Sequence, residues 1–220
     1  LTVAALLLCA GRGARLGAGT EKALVPLAGK PLFVWSLEVL QRSAVVRSIV
    51  LVGPAARLER ALQERPREKI AAMVEGGRER QDSVAAGLRA LPADCDLVAV
   101  HDSARALVSE GVVERVVDDA LRHGAALAAV PLADTLKRAT LRAVEATVPR
   151  AGLWCAQTPQ VFRRDWLEAA HAAAGVKATD DAALVEAMGH RVHLSDGDPV
   201  NLKITTPRDL EIAEAWLRRS

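Results

Sequence analysis

The run Leu8-Cys-Ala-Gly-Arg-Gly-Ala-Arg-Leu-Gly17 sets glycines and arginines directly after an apolar segment. Gly11 and Gly13 let the backbone come close to a phosphate, with N–H groups able to point at it. Arg12 and Arg15 inside the turn, and Lys22 soon after it, add charge that suits a triphosphate better than a dinucleotide. Two better-known phosphate loops are excluded. Leu16 stands where G-x-G-x-x-G needs its third glycine, and Gly29-Lys30 runs into Pro31 without the upstream glycine of a P-loop. The plainer alternative is a strand-to-loop turn carrying solvated arginines.

Three further segments carry candidate chemistry. In Val100-His-Asp-Ser-Ala-Arg105, Asp102 follows a buried run, where a carboxylate can hold Mg²⁺ or a ribose hydroxyl, and Arg105 can answer phosphate charge. Its bland alternative is that Asp102 caps the next helix and pairs with Arg105. In Glu75-Gly-Gly-Arg-Glu-Arg-Gln-Asp-Ser-Val84, two glycines precede a helix expected to begin near Arg80, with Ser83 one turn in. That pair could equally be a simple strand-to-helix connection. In Asn201-Leu-Lys-Ile-Thr-Thr-Pro, Lys203 between apolar neighbours is a fixed positive point for a phosphate, or a lysine that only snorkels from a strand edge.

Other groups offer less. His190 and His193 have no carboxylate motif nearby in sequence and read as surface or strand residues, not a zinc pair. Cys155 reads as a packed thiol, and Trp35, Trp154, Trp166 and Trp216 as core. The three cysteines are odd in number and far apart, which argues against a disulfide framework and for a reducing, cytoplasmic setting. Net charge is +2 with Arg and Lys scattered, so there is no basic block for nucleic acid. The apolar start, Leu1 to Ala10, is too short to span a membrane.

These residues need a frame. Short apolar runs alternate with helical periodicity, the pattern of a mostly parallel α/β sheet covered on both faces. Expected strands are Val3–Cys9, Ser48–Val52, Ile70–Val74, Leu97–His101, Ala126–Val130 and Val192–Ser195. Expected helices cover Pro31–Ser43, Ala56–Glu64, Gln81–Leu91, Ser109–His123, Arg164–Ala174, Asp180–Met188 and a last one from Pro207. Pro31 suits a first helical turn and Ser109 an N-cap. Between Asp134 and Arg150 the rhythm breaks into two polar segments, Thr135–Ala139 and Ala143–Val148, which read as a protruding hairpin that pairs with another chain. Residues 1–220 are expected to form a single domain with this arm at about 132–152.

In order along the chain, these motifs and Asp134-Thr-Leu-Lys, Arg150-x-Gly-Leu-Trp-x-x-Gln-Thr-Pro-Gln160 and Thr179-Asp-Asp resemble the 2-C-methyl-D-erythritol 4-phosphate cytidylyltransferase family. The resemblance implies a Rossmann-like nucleotidyltransferase fold, CTP as co-substrate, Mg²⁺ or another divalent ion, and a homodimer joined through the arm. It implies that Arg15 and Lys22 act on the triphosphate as catalytic residues with Lys203, which also holds the acceptor phosphate. Ala10, Gly11, Gly13, Gly77, Ser83, Asp102 and Ser103 would bind nucleotide. Asp102 would also touch the metal, itself held mostly by CTP phosphates. Arg105, Thr135 and Arg150 would bind the acceptor, the last two from the neighbouring subunit.

The implied reaction needs no general base, because the attacking phosphate oxygen is already charged. No covalent intermediate is needed either, which fits the missing Ser-His-Asp or Cys-His set. The chain departs from the family pattern at Glu21-Lys22-Ala23, where Pro and Gln usually flank the lysine, at Arg78, often acidic, and at Cys9, often Ala. Ribitol 5-phosphate is the rival acceptor. A non-catalytic nucleotide-binding subunit is a second rival, opposed by the joint retention of Arg15, Lys22, Asp102 and Lys203. An NAD(P) oxidoreductase fails on the missing third glycine.

Overall fold

The computed structural model describes residues 1–11, 13, 16, 21–62, 65, 67–173 and 178–219. The chain opens with β1 (Val3–Leu8), then a small hairpin of β2 (Pro26–Leu27) and β3 (Lys30–Pro31), α1 (Leu32–Arg42) and β4 (Ser48–Val52). Next come α2 (Ala55–Leu62), β5 (Ile70–Val74), α3 (Arg80–Arg89), β6 (Leu97–Asp102), α4 (Glu110–His123) and β7 (Ala125–Pro131). The hairpin β8 (Leu136–Thr140) and β9 (Ala143–Val148) precedes β10 (Trp154–Arg163), α5 (Arg164–Ala172), α6 (Asp181–Ala187), β11 (His193–Asp196) and α7 (Pro207–Leu217).

One seven-stranded sheet has the order β11-β7-β10-β6-β1-β4-β5. All its neighbours are parallel except β10, which runs antiparallel to both β6 and β7. The strand period of two sorts the core. Val3, Ala5 and Leu7 join residues of α1, α2 and α4 on one face, while Ala4, Leu6 and Leu8 join residues of α3, α5 and α6 on the other. A third cluster packs Ala213 of α7 with Leu27, Leu32 and Ile204. Among the described residues no helix is long and apolar enough to cross a membrane.

Where the sequence expected strands and helices they form, with small shifts at their ends. Ser109 caps α4, its side chain accepting from the Val112 N–H at 3.3 Å, and Pro31 is the N-cap of α1. At the other end of α4, Gly124 takes φ 85, and a Cβ there would stand 2.5 Å from the Trp166 ring, so the turn into β7 needs glycine. Glu64 and Ala174, expected as helix ends, lie outside the described residues.

Three expectations are corrected. β10 is absent from the expected strands: the polar run Gln157-Thr-Pro-Gln160 hides it, and the proline sits where the pairing with β7 shifts register between Ala156 and Gln160. Cys155 is exposed, not packed, because it lies at the start of β10, which pairs there with the end of β7, before the stretch that also pairs with β6. Of the tryptophans, Trp154 and Trp216 are exposed and Trp35 and Trp166 half-buried, so none is a full core residue.

The β8–β9 hairpin forms its own two-stranded sheet, and nearly every residue in it is exposed. Its tip turns through Leu141 (φ 49) and Arg142 (φ 69), the left-handed pair that a tight two-residue connection requires.

Candidate active site

Leu8 at the end of β1 lies opposite Asp102 at the end of β6, so the loops leaving both strands share one cleft of ≈ 280 Å³. Ligands of open α/β sheets bind at this carboxyl edge. The β1 loop contributes Ala10 and Gly11, and the loop before α3 lies directly over it. A Cβ built on Gly76 would stand 2.3 Å from the Ala10 Cβ, so only glycine permits this approach. Ser83 ties the second loop together: its Oγ accepts from the Gly77 N–H at 3.0 Å and donates to the Glu79 carbonyl at 3.2 Å. A reciprocal cap between Glu79 and Asp82 then starts α3 at Arg80.

Asp102 is the centre of the cleft's charge. The Lys203 Nζ donates to Oδ2 at 2.6 Å, and the Arg80 Nε donates to Oδ1 at 3.3 Å. Burial alone would raise this carboxyl's pKa; Arg80 and then Lys203 outweigh that and hold it well below the usual carboxylate range. Arg80 is held in turn from behind, its Nη1 donating to Asp181 Oδ2 at 2.6 Å. Asp181 is fully buried, and the His171 Nε2 lies 2.9 Å from its other oxygen. A chain of ion pairs and hydrogen bonds therefore runs Lys203–Asp102–Arg80–Asp181–His171, from the cleft to α5 and α6. Among the described residues the buried Arg80 Nη2 has no hydrogen-bond partner.

Beneath Asp102 the frame is neutral. Burial pushes His101 down to about 4, so its ring is uncharged at neutral pH. The hydrogen-bond network assigns Nε2–H to the Arg105 carbonyl at 3.3 Å, with Nδ1 accepting from the Thr158 hydroxyl at 3.0 Å. That hydroxyl also accepts from the Asp102 N–H at 3.1 Å. Thus the unexpected strand β10 fixes the residue on which the cleft turns.

The expected site residues divide accordingly. Ala10, Gly11, Lys22, Gly77, Ser83, Asp102, Ser103 and Lys203 all border the cleft, and the half-exposed Lys203 is an ion-pair partner there, not a snorkelling lysine. The Lys22 N–H donates to the Gly11 carbonyl at 2.9 Å, and Glu21 forms an ion pair with Arg57, which gives the unusual Glu21 a partner. Arg78 is exposed at the rim. Gly13 takes φ 62 and is absent from the cleft wall. Arg105 is also absent from that wall: it donates from Nη1 to the Asn201 carbonyl at 2.7 Å and from Nη2 to the Ala156 carbonyl at 3.1 Å. Asp102 does not cap a helix, since Ser109 does so for α4. Thr135 and Arg150 are exposed at the roots of the hairpin, away from this chain's cleft. Arg15 lies outside the described residues, as does Arg12.

Sequence reasoning missed Arg80 as a charge carrier, with Asp181 and His171. A signal was present in Asp180-Asp181. Asp180 accepts from the Ala183 N–H at 3.0 Å to cap α6, and one cap needs only one aspartate. The second pairs with Arg80, 101 residues earlier.

A cationic, glycine-lined cleft beyond a mostly parallel sheet suits electrostatic chemistry on phosphates, and the relatives of this chain make the class nucleotidyltransferase. The family profile of 2-C-methyl-D-erythritol 4-phosphate cytidylyltransferase matches residues 3–219, and the chain belongs to that family. The curated relative of that name from Geobacillus kaustophilus is 43% identical over 97% of this chain and 96% of its own length. The one from Pelotomaculum thermopropionicum is 45% identical over 98% of this chain and 94% of its own. The crystal structure of the enzyme from Thermus thermophilus superposes with a TM-score of 0.80 at 38% identity, covering 97% of this chain and 98% of that one.

Proposed function

We infer that this chain transfers CMP from CTP to 2-C-methyl-D-erythritol 4-phosphate and releases pyrophosphate, a step of non-mevalonate isoprenoid biosynthesis. The observation that carries the reading is the meeting of Lys203, Arg80 and Asp102 in a cleft that Lys22 also borders, opposite the glycine-bearing loops. Ala10, Gly11, Gly77 and Ser83 supply a narrow backbone wall for the nucleoside, with Asp102 and Ser103 beside the ribose. Gly13 and Arg15 belong to the phosphate loop in this reading.

In the reaction an acceptor phosphate oxygen attacks the α-phosphorus, a new P–O bond forms, and the α–β bridging bond breaks as pyrophosphate leaves. Two obstacles dominate: repulsion between the phosphates, and charge growing on the five-coordinate phosphorus and the leaving group. Lys22 and Arg15 answer the second, and Lys203 the first. Lys203 is already held by Asp102, so less ordering is needed when it takes the acceptor phosphate. Asp102 stays ionised and keeps both Lys203 and Arg80 pointed inward.

A divalent cation fits this donor set in a limited way. Asp102 already has Arg80 on one oxygen and Lys203 on the other, so the ion would be carried mainly by phosphate oxygens, with Asp102 as its one protein ligand. When bound, it neutralises phosphate charge.

The acceptor site is completed, in this reading, by Thr135 and Arg150 of a second copy, with Arg105 bracing the segment that carries Lys203. The arm supports this: Leu136, Leu141 and Val144 are exposed on it, and an isolated two-stranded hairpin is marginal in water. The test is pyrophosphate release from CTP and Mg²⁺ with either 2-C-methyl-D-erythritol 4-phosphate or ribitol 5-phosphate. Release with the former alone is expected. Release with ribitol phosphate would keep the chemistry and move the pathway, and CTP binding without release from either would overturn catalysis.

A further inference from the structure

At the end of the sheet opposite the cleft, α4 and the edge strand β11 bring three metal-ligating side chains together. We propose that Asp119, His123 and His193 form a binding site for a late first-row divalent metal, zinc foremost. Their candidate ligand atoms all lie within 4.8 Å of one another. Asp119 and His123 are four residues apart on α4 and so share one face. His193 opens β11 and pairs in register with Ala126, just beyond the glycine that ends α4. That puts the last turn of the helix beside the first residue of the strand. The two imidazole rings are stacked, with centroids 4.1 Å apart and planes 14° from parallel, so one exposed ring must turn for a nitrogen of each to aim at the same ion.

The carboxylate is already oriented. Ser195 lies two residues along the strand and so on the same face as His193, and its Oγ donates to Asp119 Oδ2 at 2.6 Å. A hydroxyl that fixes a ligating carboxylate is the kind of support metal sites use. The neighbouring cation is Arg122, whose Nη1 is 3.6 Å from Oδ1 on a side chain 69% exposed. It is loosely held and can swing into water when a metal takes that oxygen. Two imidazoles and a carboxylate suit zinc better than magnesium or calcium, which prefer all-oxygen sets. Both histidines are exposed, giving an ion a path of entry and a fourth position for water.

The site is separate from catalysis. Asp102 is the last residue of β6, whereas His193 lies level with the start of β7, which runs parallel to β6 because both oppose β10. Its consequence is mechanical. β11 has four residues and, among the described residues, only β7 as a sheet neighbour, and a metal would clasp this edge to α4.

The experiment uses untagged, chelator-stripped full-length protein, titrated with Zn²⁺ by calorimetry and with Co²⁺ by visible absorption, without nucleotide. The expected result is a single tight equivalent, Co²⁺ bands displaced by Zn²⁺, and a higher Tm with Zn²⁺. His123→Ala and His193→Ala, on different elements, should each lose the bands and the Tm rise, and Ser195→Ala should weaken binding by about tenfold. His190→Ala, whose ring stacks instead on Trp166, should bind as the wild type does. No stoichiometric uptake, or uptake that survives both His123→Ala and His193→Ala, would overturn the proposal.

Discussion

The cleft wall and the β8–β9 arm are both rich in polar and charged side chains, yet they are built in opposite ways. In the cleft each side chain is held by the next, from the half-exposed Lys203 through Asp102 and Arg80 to the buried Asp181 and His171. The position of one group depends on all the others. Among the described residues the arm's strands pair only with each other, and a cross-strand contact such as Lys137 Nζ to Thr147 Oγ1 at 2.6 Å is solvent-exposed. Such contacts contribute little in water. The cleft carries its own organisation, while the arm, in the proposed function, acquires one from a second copy.

The largest effect expected from breaking this contrast is on turnover. Lys22→Ala and Arg15→Ala should each lower kcat at least about 100-fold, as removal of an electrostatic donor does. Steady-state pyrophosphate release checks this, and near-normal rates in both would mean that neither stabilises the transition state. Next is stability: Asp181→Ala leaves the half-buried Arg80 without its main partner and should cost about 3 kcal/mol in urea unfolding. A cost near zero would mean that the buried chain is not a coupled unit.

A smaller effect follows from His101. Unfolded, its pKa is near 6.5; folded, burial lowers it to about 4. Between those values the unfolded state binds the extra proton, so stability should fall as pH drops through this window. His101→Gln should flatten the slope, and the difference between the two urea series isolates it from other titrating groups. On the arm side, Leu141→Asp with Val144→Asp should shift sedimentation toward the monomer and lower turnover. Stability of a single chain should change by less than about 0.5 kcal/mol, as for exposed sites generally. A large loss of chain stability would show the arm to be braced from within.

The local parts are legible in the order of residues alone. Apolar runs of β1, β4, β6 and β7 are strands because both faces of a covered sheet are buried, and this leaves a continuous apolar signature. The glycines at 11, 76 and 77, Asp102 and Lys203 are readable because loops at strand ends carry chemistry by residue type and spacing. The hairpin is readable from its polar alternation. β10 is not, since the buried Gln157 and Gln160 side chains bond chiefly to Asp198, Asn201, Asp180 and Ala182, none of them near in sequence.

The sequence by itself therefore determined which segments form the sheet apart from β10, where its phosphate-facing loops lie and the family to which the chain belongs. Tertiary structure alone decided that Asp102 would answer to Arg80 and Lys203 rather than to the neighbouring Arg105. It alone set Asp181 behind Arg80, and His193 against Asp119 and His123. Periodicity and capping act over a few residues and leave a pattern in the chain, whereas Coulomb attraction and ligand geometry depend on distance in space.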